Sequence, residues 1–577
     1  TARSDGGGVV NDGTEMTMTQ PDSYIASNHA PNGYGGGLLV RSENRNAYTY
    51  LGSTGLGNLG PVYLNDANRG GGVAVRSGDD YKAELHLFST DPARPARIRG
   101  NTAGSEGGGI DLHGDYARVI AWYAWIEDNI APHGAAISLR DSEGSAFGVW
   151  FNDPALRPLG SIDCPIGTPC GGIVGNAAED ESAQPSNGVV EVGAFGFTRF
   201  HRMTFEGNVG KFLFRGDGPG DGGLGFETHH VSITGNTVSG ELIATENDGG
   251  DDGIIALHDT TIAGNTIGAD SVMRMSNAYE GADQLYRTIV WQPGKTTLDL
   301  TGGPQLDLLD DMVSERDSVD GGNTPNVVVQ DPRFVDPEHG DYSLRAGSPA
   351  VDYTSSVAGD DKDLDSNARD VDLPIVEGFH GLRDLGAIER QRLQPLVLNS
   401  DFDADLRLWS TANADVTTWD PSKNVTGAAG SGSAHIMLPD AVTGTRVGGV
   451  VQCVHLPGPG VYALNGWGRG TGTMVTAGDI AELYWEYRKS GEEGCTNGPP
   501  DAFGTLTLSN SPNWSRAANP ALIQVTEQDW TYTSSIAVTL VAQENGPSGA
   551  PTNAWFDGVT LETDSDDVIF ADDFDGI

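Results

Sequence analysis

Apolar and polar positions recur in a fixed order along the first half of the chain. An apolar residue stands three before an asparagine at Ile25/Asn28, Val62/Asn65, Ile98/Asn101 and Ile126/Asn129. The same pair returns at Phe205/Asn208, Ile233/Asn236 and Ile262/Asn265. Runs of small residues follow the first four asparagines, at Gly35–Gly37, Gly70–Gly72, Gly107–Gly109 and Gly134–Ala136. Between these markers lie short β-branched segments such as "VSITGN", "TTIAGN" and "GIIALHD". Spacing of the i, i+3, i+4 kind is nearly absent, so helices are not expected. A repeat of about 28 residues built from short strands is the mark of a solenoid.

In a parallel β-helix each coil stacks on the one before, so equivalent positions form columns. Asparagine tolerates a left-handed turn, and its amide can bond the same amide one coil away. Glycine admits corners where a Cβ would clash. The pattern over residues 20–295 resembles the FxxN and GGA(I/L/V) repeats of polymorphic-outer-membrane-protein-like β-helices. The seven asparagines are therefore expected to form one ladder, or two offset ladders. From Asn129 to Asn208 the pattern lapses for 79 residues. That interval is read as one coil plus an insertion near 140–200, carrying "CPIGTPC".

Residues 331–391 hold "DPRFVDPEHGDYSLRAGSPAVD", "DKDLDSNARDVD" and "DLGAIE". This block resembles the choice-of-anchor Q segment that closes many secreted bacterial β-helices. The resemblance implies an extracellular or surface protein and no particular reaction. After it the composition shifts. Seven of eleven tryptophans fall within 396–563, among alternating segments such as "VYALNGWGRG" and "AWFDGVTLE". Such alternation predicts an antiparallel sandwich. The opening "LVLNSDFDADLRLWS" and the closing "NAWFDGVTLE" resemble jelly-roll carbohydrate-binding modules, with Asn399, Phe402, Phe556, Asp557 and Val559 at the matching places. An opening strand is expected to pair with the closing one. Residues 564–577 form an acidic tail similar to those of some secreted Gram-negative proteins. The fold class expected is all-β: a right-handed parallel β-helix over 1–330, its closing segment, then a C-terminal antiparallel β-sandwich of jelly-roll type.

Charge narrows the partners. The 577 residues carry a formal net charge of −46. Nucleic acid and anionic bilayers are disfavoured by repulsion. No apolar run reaches the roughly 18 residues that a membrane span needs. The chain starts at Thr1 without a signal peptide, which suggests a processed terminus. Four cysteines form two local pairs, Cys164 with Cys170 and Cys453 with Cys495. Two disulfides and an oxidising compartment are expected; four free thiols are the alternative.

Candidate chemistry is sparse. Asp361, Asp363, Asp365 and Asn367 alternate like the start of a calcium loop, with Asp372 at its twelfth position. The jelly-roll resemblance adds Asp557 as a second calcium candidate. Asp248, Asp251 and Asp252 in "ENDGGDDGI" offer paired carboxylates of the kind glycosidases use, but the Gly-His-Gly and Arg-Ile-Lys of pectin-type enzymes are missing. Aromatic rings stack on sugar faces, and Trp409, Trp419, Trp514 and Trp530 border turns, where a ring is accessible. The reading expects a secreted or cell-surface bacterial protein that binds extracellular glycan, an adhesin without catalysis. The alternatives are a polysaccharide lyase or glycosidase acting along the coils, and a self-associating subunit of an extracellular filament or surface layer.

Overall fold

A computed structural model describes residues 5–563 apart from short stretches. The longer of these are 53–60, 141–146, 180–186, 219–223, 248–252, 277–283, 302–306, 320–324, 358–361, 372–379, 392–395, 426–430, 471–479, 490–494 and 546–550. The chain divides into two compact units, one built mainly from residues 1–391 and one from 392 onward.

The first unit is a parallel β-helix. A ten-stranded parallel sheet runs from Val9–Asp12 to Thr296–Thr301, and an eight-stranded one from His29–Tyr34 to Thr266–Ile267. A third sheet of 19 strands takes two strands from most coils, as with Ala117–Trp122 and Ala124–Glu127. Register turns the sequence pattern into columns. Ile25, Val62, Ile98, Ile126, Ile173, Phe205, Ile233, Ile262, Val290 and Val313 stand in one unbroken stack. Ile25 is 5% exposed and the rest 1% or less. The residue three before each asparagine thus forms the core of the coil.

The asparagines form one ladder with eight members. The backbone N–H and the side-chain amide of Asn101 both donate to Oδ1 of Asn129, at 2.9 and 3.0 Å. The same paired link joins Asn28 to Asn65, Asn65 to Asn101, Asn208 to Asn236 and Asn236 to Asn265. The eighth member is Asn176, which links Asn129 to Asn208. The expectation of a single long insertion is therefore corrected. Residues 130–207 hold two coils, with strands at Gly148–Phe151, Gly171–Val174 and Gly188–Gly193 in register with their neighbours. Among the described residues of this interval, the excursion from Asn152 to Cys170, between two of those strands, leaves the coil.

The corner before the ladder also differs from expectation. The left-handed residue is the one preceding each asparagine: Ser27, Leu64, Gly100, Asp128, Gly175, Gly207, Gly235 and Gly264 have φ of 53–66°. The asparagine side chain serves the turn from outside that conformation. At the glycine runs the constraint is contact: a Cβ on Gly108 would lie 2.5 Å from the carbonyl oxygen of Ala135.

The coils end near Val328–Val329. The segment that follows does not extend the stack. It runs back along the flank, where Gly386 donates to the Arg287 carbonyl, Ala387 to Thr261 Oγ1, and Gly167 to the Asp365 carbonyl. Both disulfides are present, Cys164–Cys170 and Cys453–Cys495, with Cα separations of 5.2 and 5.6 Å.

The second unit is an antiparallel sandwich of a five-stranded and a six-stranded sheet. Alternation sets its core: Ala434, Ile436, Leu438, Val538, Leu540, Ala554 and Phe556 are all at most 1% exposed. The closing strand Thr552–Thr563 pairs with Ser433–Leu438 and Gly460–Gly470. The opening segment is a correction. Asn399 and Phe402 have φ of 50° and 46° and lie in a turn, not a strand. Phe402 is nevertheless fully buried, and Ser400 accepts from Val559 of the closing strand.

Candidate functional site

Inward alternation of Ala554 and Phe556 turns Trp555 to the outer face of the six-stranded sheet. Register then builds a row across four strands. Thr418 stands opposite His435, His435 opposite Trp555, and Trp555 opposite Arg469. The next strand, Ser515–Arg516, begins beside Gly468, and the Arg469 guanidinium lies 5.7 Å from the ring centroid of Trp514.

The row is held from below. The His435 ring stacks on Trp555 at 4.5 Å with 3° between planes. Lys423 Nζ sits 4.1 Å and Arg469 5.6 Å from the Trp555 ring. Trp555 Nε1 donates to Asp420 Oδ2 at 2.8 Å, and Lys423 Nζ reaches the same oxygen at 3.2 Å. Burial would raise the Asp420 carboxyl; Ser422, Trp555 and Lys423 together hold it well below the usual carboxylate range. Burial lowers His435, against the pull of Asn553 and Asp420. A neutral ring with Nε2–H donating to Asn553 Oδ1 at 2.9 Å leaves Nδ1 as an acceptor. Trp555 is 4% exposed and acts as the floor, while Trp514 is half-buried. The face thus carries one half-buried ring, Trp514, beside the Arg469 guanidinium, over a buried Trp555 flanked by an ammonium, a carboxylate and an imidazole.

The four tryptophans expected to present a ring separate here. Trp409 is 5% exposed, packs on Phe402 and belongs to the core, which corrects its reading as a sugar platform. Trp419 and Trp530 pack against the same core, their Nε1 groups bound to the carbonyls of Phe402 and Leu456. Trp514 stands on the outer face. Sequence alone reads Trp555 as core because it lies within a strand, and nothing local links it to His435 and Arg469. Knowing that Ala554 and Phe556 point inward would have turned Trp555 outward.

The calcium loop is described only in part, since Asp361 and Asp372 lie outside the described residues. Asp363 is buried, with its two carboxylate oxygens accepting from the backbone of Asn367 and Glu389 at 2.7 and 3.1 Å. Asp557 is likewise engaged with the backbone of Val425 and Gly558. No group of three or more His, Cys, Asp or Glu side chains among the described residues is arranged to hold a metal ion. Asp248, Asp251 and Asp252 also lie outside the described residues.

The coils carry a column of their own. His201, His229 and His258 stack at 4.3 and 4.7 Å, followed by Tyr286 edge-on at 5.3 Å. His229 Nε2 lies 2.7 Å from Glu227, which Arg199 also binds. Burial would raise Glu227; His229 and Arg199 bring it down to about 2. The signal for this column was present in sequence, because each histidine stands seven residues before a ladder asparagine, at Asn208, Asn236 and Asn265.

No family model matches the chain, and no curated protein matches it. Solved structures do. A carbohydrate-binding module, TmCBM61, described in complex with β-1,4-galactotriose, is 13% identical over 30% of this chain and 99% of its own, with TM-score 0.21. A putative sugar-binding protein from Bacteroides thetaiotaomicron is 15% identical over 30% and 100%, with TM-score 0.20. The xylan-binding CBM22-1 domain of Xyn10C from Paenibacillus barcinonensis is 11% identical over 30% and 94%, with TM-score 0.19. Likeness at this level assigns no ligand to this chain.

Proposed function

We propose that the protein binds extracellular glycan through the outer face of the six-stranded sheet of its sandwich. The observation that carries this reading is the row from His435 over Trp555 to Arg469 and Trp514. A saccharide presents C–H faces that pack on an aromatic ring and hydroxyls that pair with charged and amide groups. This face supplies both kinds of partner side by side: His435, Arg469, Trp555 and Asp420 stand on strands, whose spacing the sheet fixes, and Lys423 and Trp514 stand just beyond strand ends. Two disulfides fit an oxidising, extracellular setting. The reading is of a secreted or cell-surface adhesin that joins a β-helix and a sandwich in one chain.

The test is a glycan array probed with the whole chain, and with Trp514→Ala and Arg469→Ala variants. The account expects one saccharide class to be retained by the wild type and lost by both variants. Equal retention by all three proteins would remove the face from consideration.

A further inference from the structure

The first unit contains a cavity of about 640 Å³ that the sandwich reading does not use. Its wall is the excursion from Asn152 to Cys170, its floor the coil, and its far side the block that runs back along the flank. Three cations line it, each from a different one of these: Arg157, Arg202 and Lys362. One carboxylate lines it, Asp163, already bound to Arg157 at 2.5 Å. In a chain of net charge −46, this is a place where positive charge is gathered.

The gathering is built rather than incidental. Trp122 closes the floor, 4% exposed, with Nε1 bonded to the Ile162 carbonyl at 2.7 Å. The Arg157 and Arg202 guanidinium groups lie 4.8 and 5.9 Å from its ring centroid. Arg157 is further fixed by Ser161, at 3.1 Å to Oγ and 3.0 Å to the carbonyl. Arg202 reaches Ser366 Oγ at 3.4 Å. Lys362 makes no ion pair among the described residues. The Cys164–Cys170 disulfide shapes the rim, and both cysteines pack in a small cluster with Trp122.

We infer that this cavity is a second binding site, for an anionic sugar unit bearing a carboxylate or a sulfate group. Fixed cations facing a concave wall raise the local concentration of an anion, and a guanidinium binds either group through paired N–H donors. The volume exceeds what an inorganic oxyanion fills and suits a ligand of one or two rings. The sugar part of this assignment rests on the glycan reading above; the anionic part stands without it.

Calorimetric titration of the whole chain tests it with four probes: a galacturonate oligomer, a sulfated disaccharide, a neutral galactose oligomer and inorganic sulfate. One charged saccharide is expected to bind at least about tenfold tighter than the neutral one, and to weaken as salt is added. Lys362→Gln is expected to weaken it about tenfold, the scale of one lost charged hydrogen bond. Ile166→Trp, which fills the mouth at a residue 74% exposed, is expected to abolish binding while leaving every cation in place. The four titrations are run in the Trp514→Ala background, where the sandwich face is removed, so that what is read belongs to the cavity and a failure here is distinct from a failure of the sandwich reading. Equal affinity for the neutral oligomer, or no binding of any anion, would overturn the proposal. Inorganic sulfate binding as tightly as the saccharides would overturn its sugar part.

Discussion

Arg369 Nη2 donates to Asp259 Oδ1 at 2.8 Å across 110 positions of sequence, and neither side chain touches solvent. Asp259 also takes both arms of Arg287, at 2.9 and 2.8 Å. Burial would raise this carboxyl; His230, Arg369 and Arg287 outweigh it and hold it far below the carboxylate range. The flank block is therefore pinned to the coils by a buried charge pair, not by an apolar seam alone. Such a pair is not in itself evidence of net stability, but breaking it leaves a charge uncompensated. Asp259→Ala is expected to cost about 3–5 kcal/mol in urea denaturation. A loss below about 1 kcal/mol, the scale of an exposed pair, would show that the block is held elsewhere.

The asparagine ladder predicts a contrast between its middle and its end. Asn176→Ala removes the Oδ1 that accepts from both the backbone and the side chain of Asn129. Two buried donors are left without an acceptor, at about 1–3 kcal/mol each. Asn28 donates to Asn65 and stands at the start of the ladder, so Asn28→Ala should cost distinctly less. Equal losses in thermal melts would mean that the links act singly and not as a column.

The histidine column predicts a pH dependence. Burial, His229 and Arg287 bring His258 down to about 4. An unfolded histidine titrates near about 6.5, so the unfolded chain takes up this proton first. The contribution of His258 is fully present above about pH 6.5 and is lost as pH falls toward about 4. Melting temperature should decline over that window, and His258→Gln should flatten part of the slope. Parallel curves for the two proteins would contradict the assignment.

Reduction should act unequally. The Cys453–Cys495 loop spans 42 residues and Cys164–Cys170 spans 6. The loop-entropy relation gives about 4 kcal/mol for the first and about 2 for the second. Cys453→Ser with Cys495→Ser should lower the melting temperature of the sandwich more than the other pair lowers that of the coils.

Coil geometry is largely readable because an inward residue and a ladder asparagine are separated by three positions in eight successive turns. What was missed follows from what the reading required. "IVGN" at 173–176 carries the same pair, but the long disulfide-bearing excursion before it breaks the 28-residue spacing, so sequence alone reads this coil as insertion. Asparagine tolerates the left-handed corner, so sequence alone puts the corner there; the chain instead uses the preceding residue, glycine at five of eight positions and Ser27, Leu64 and Asp128 at the others, and frees the amide for bonding. The sugar-facing row was hidden for another reason. Its members come from separate strands, at 418, 435, 555 and 469, and only sheet register brings them together. The cation-lined cavity draws on residues as distant as Arg157 and Lys362, which no local pattern connects.

Hydrogen exchange of the intact chain, with and without the saccharide that an array selects, tests the glycan-binding claim most directly. Protection is predicted in the strands Thr417–Asp420, Ser433–Leu438, Gly460–Gly470, Ser515–Arg516 and Thr552–Thr563, greatest around His435, Arg469 and Trp555. Protection confined to the five-stranded sheet, where Phe503 is 66% exposed, or to the coils, would contradict it.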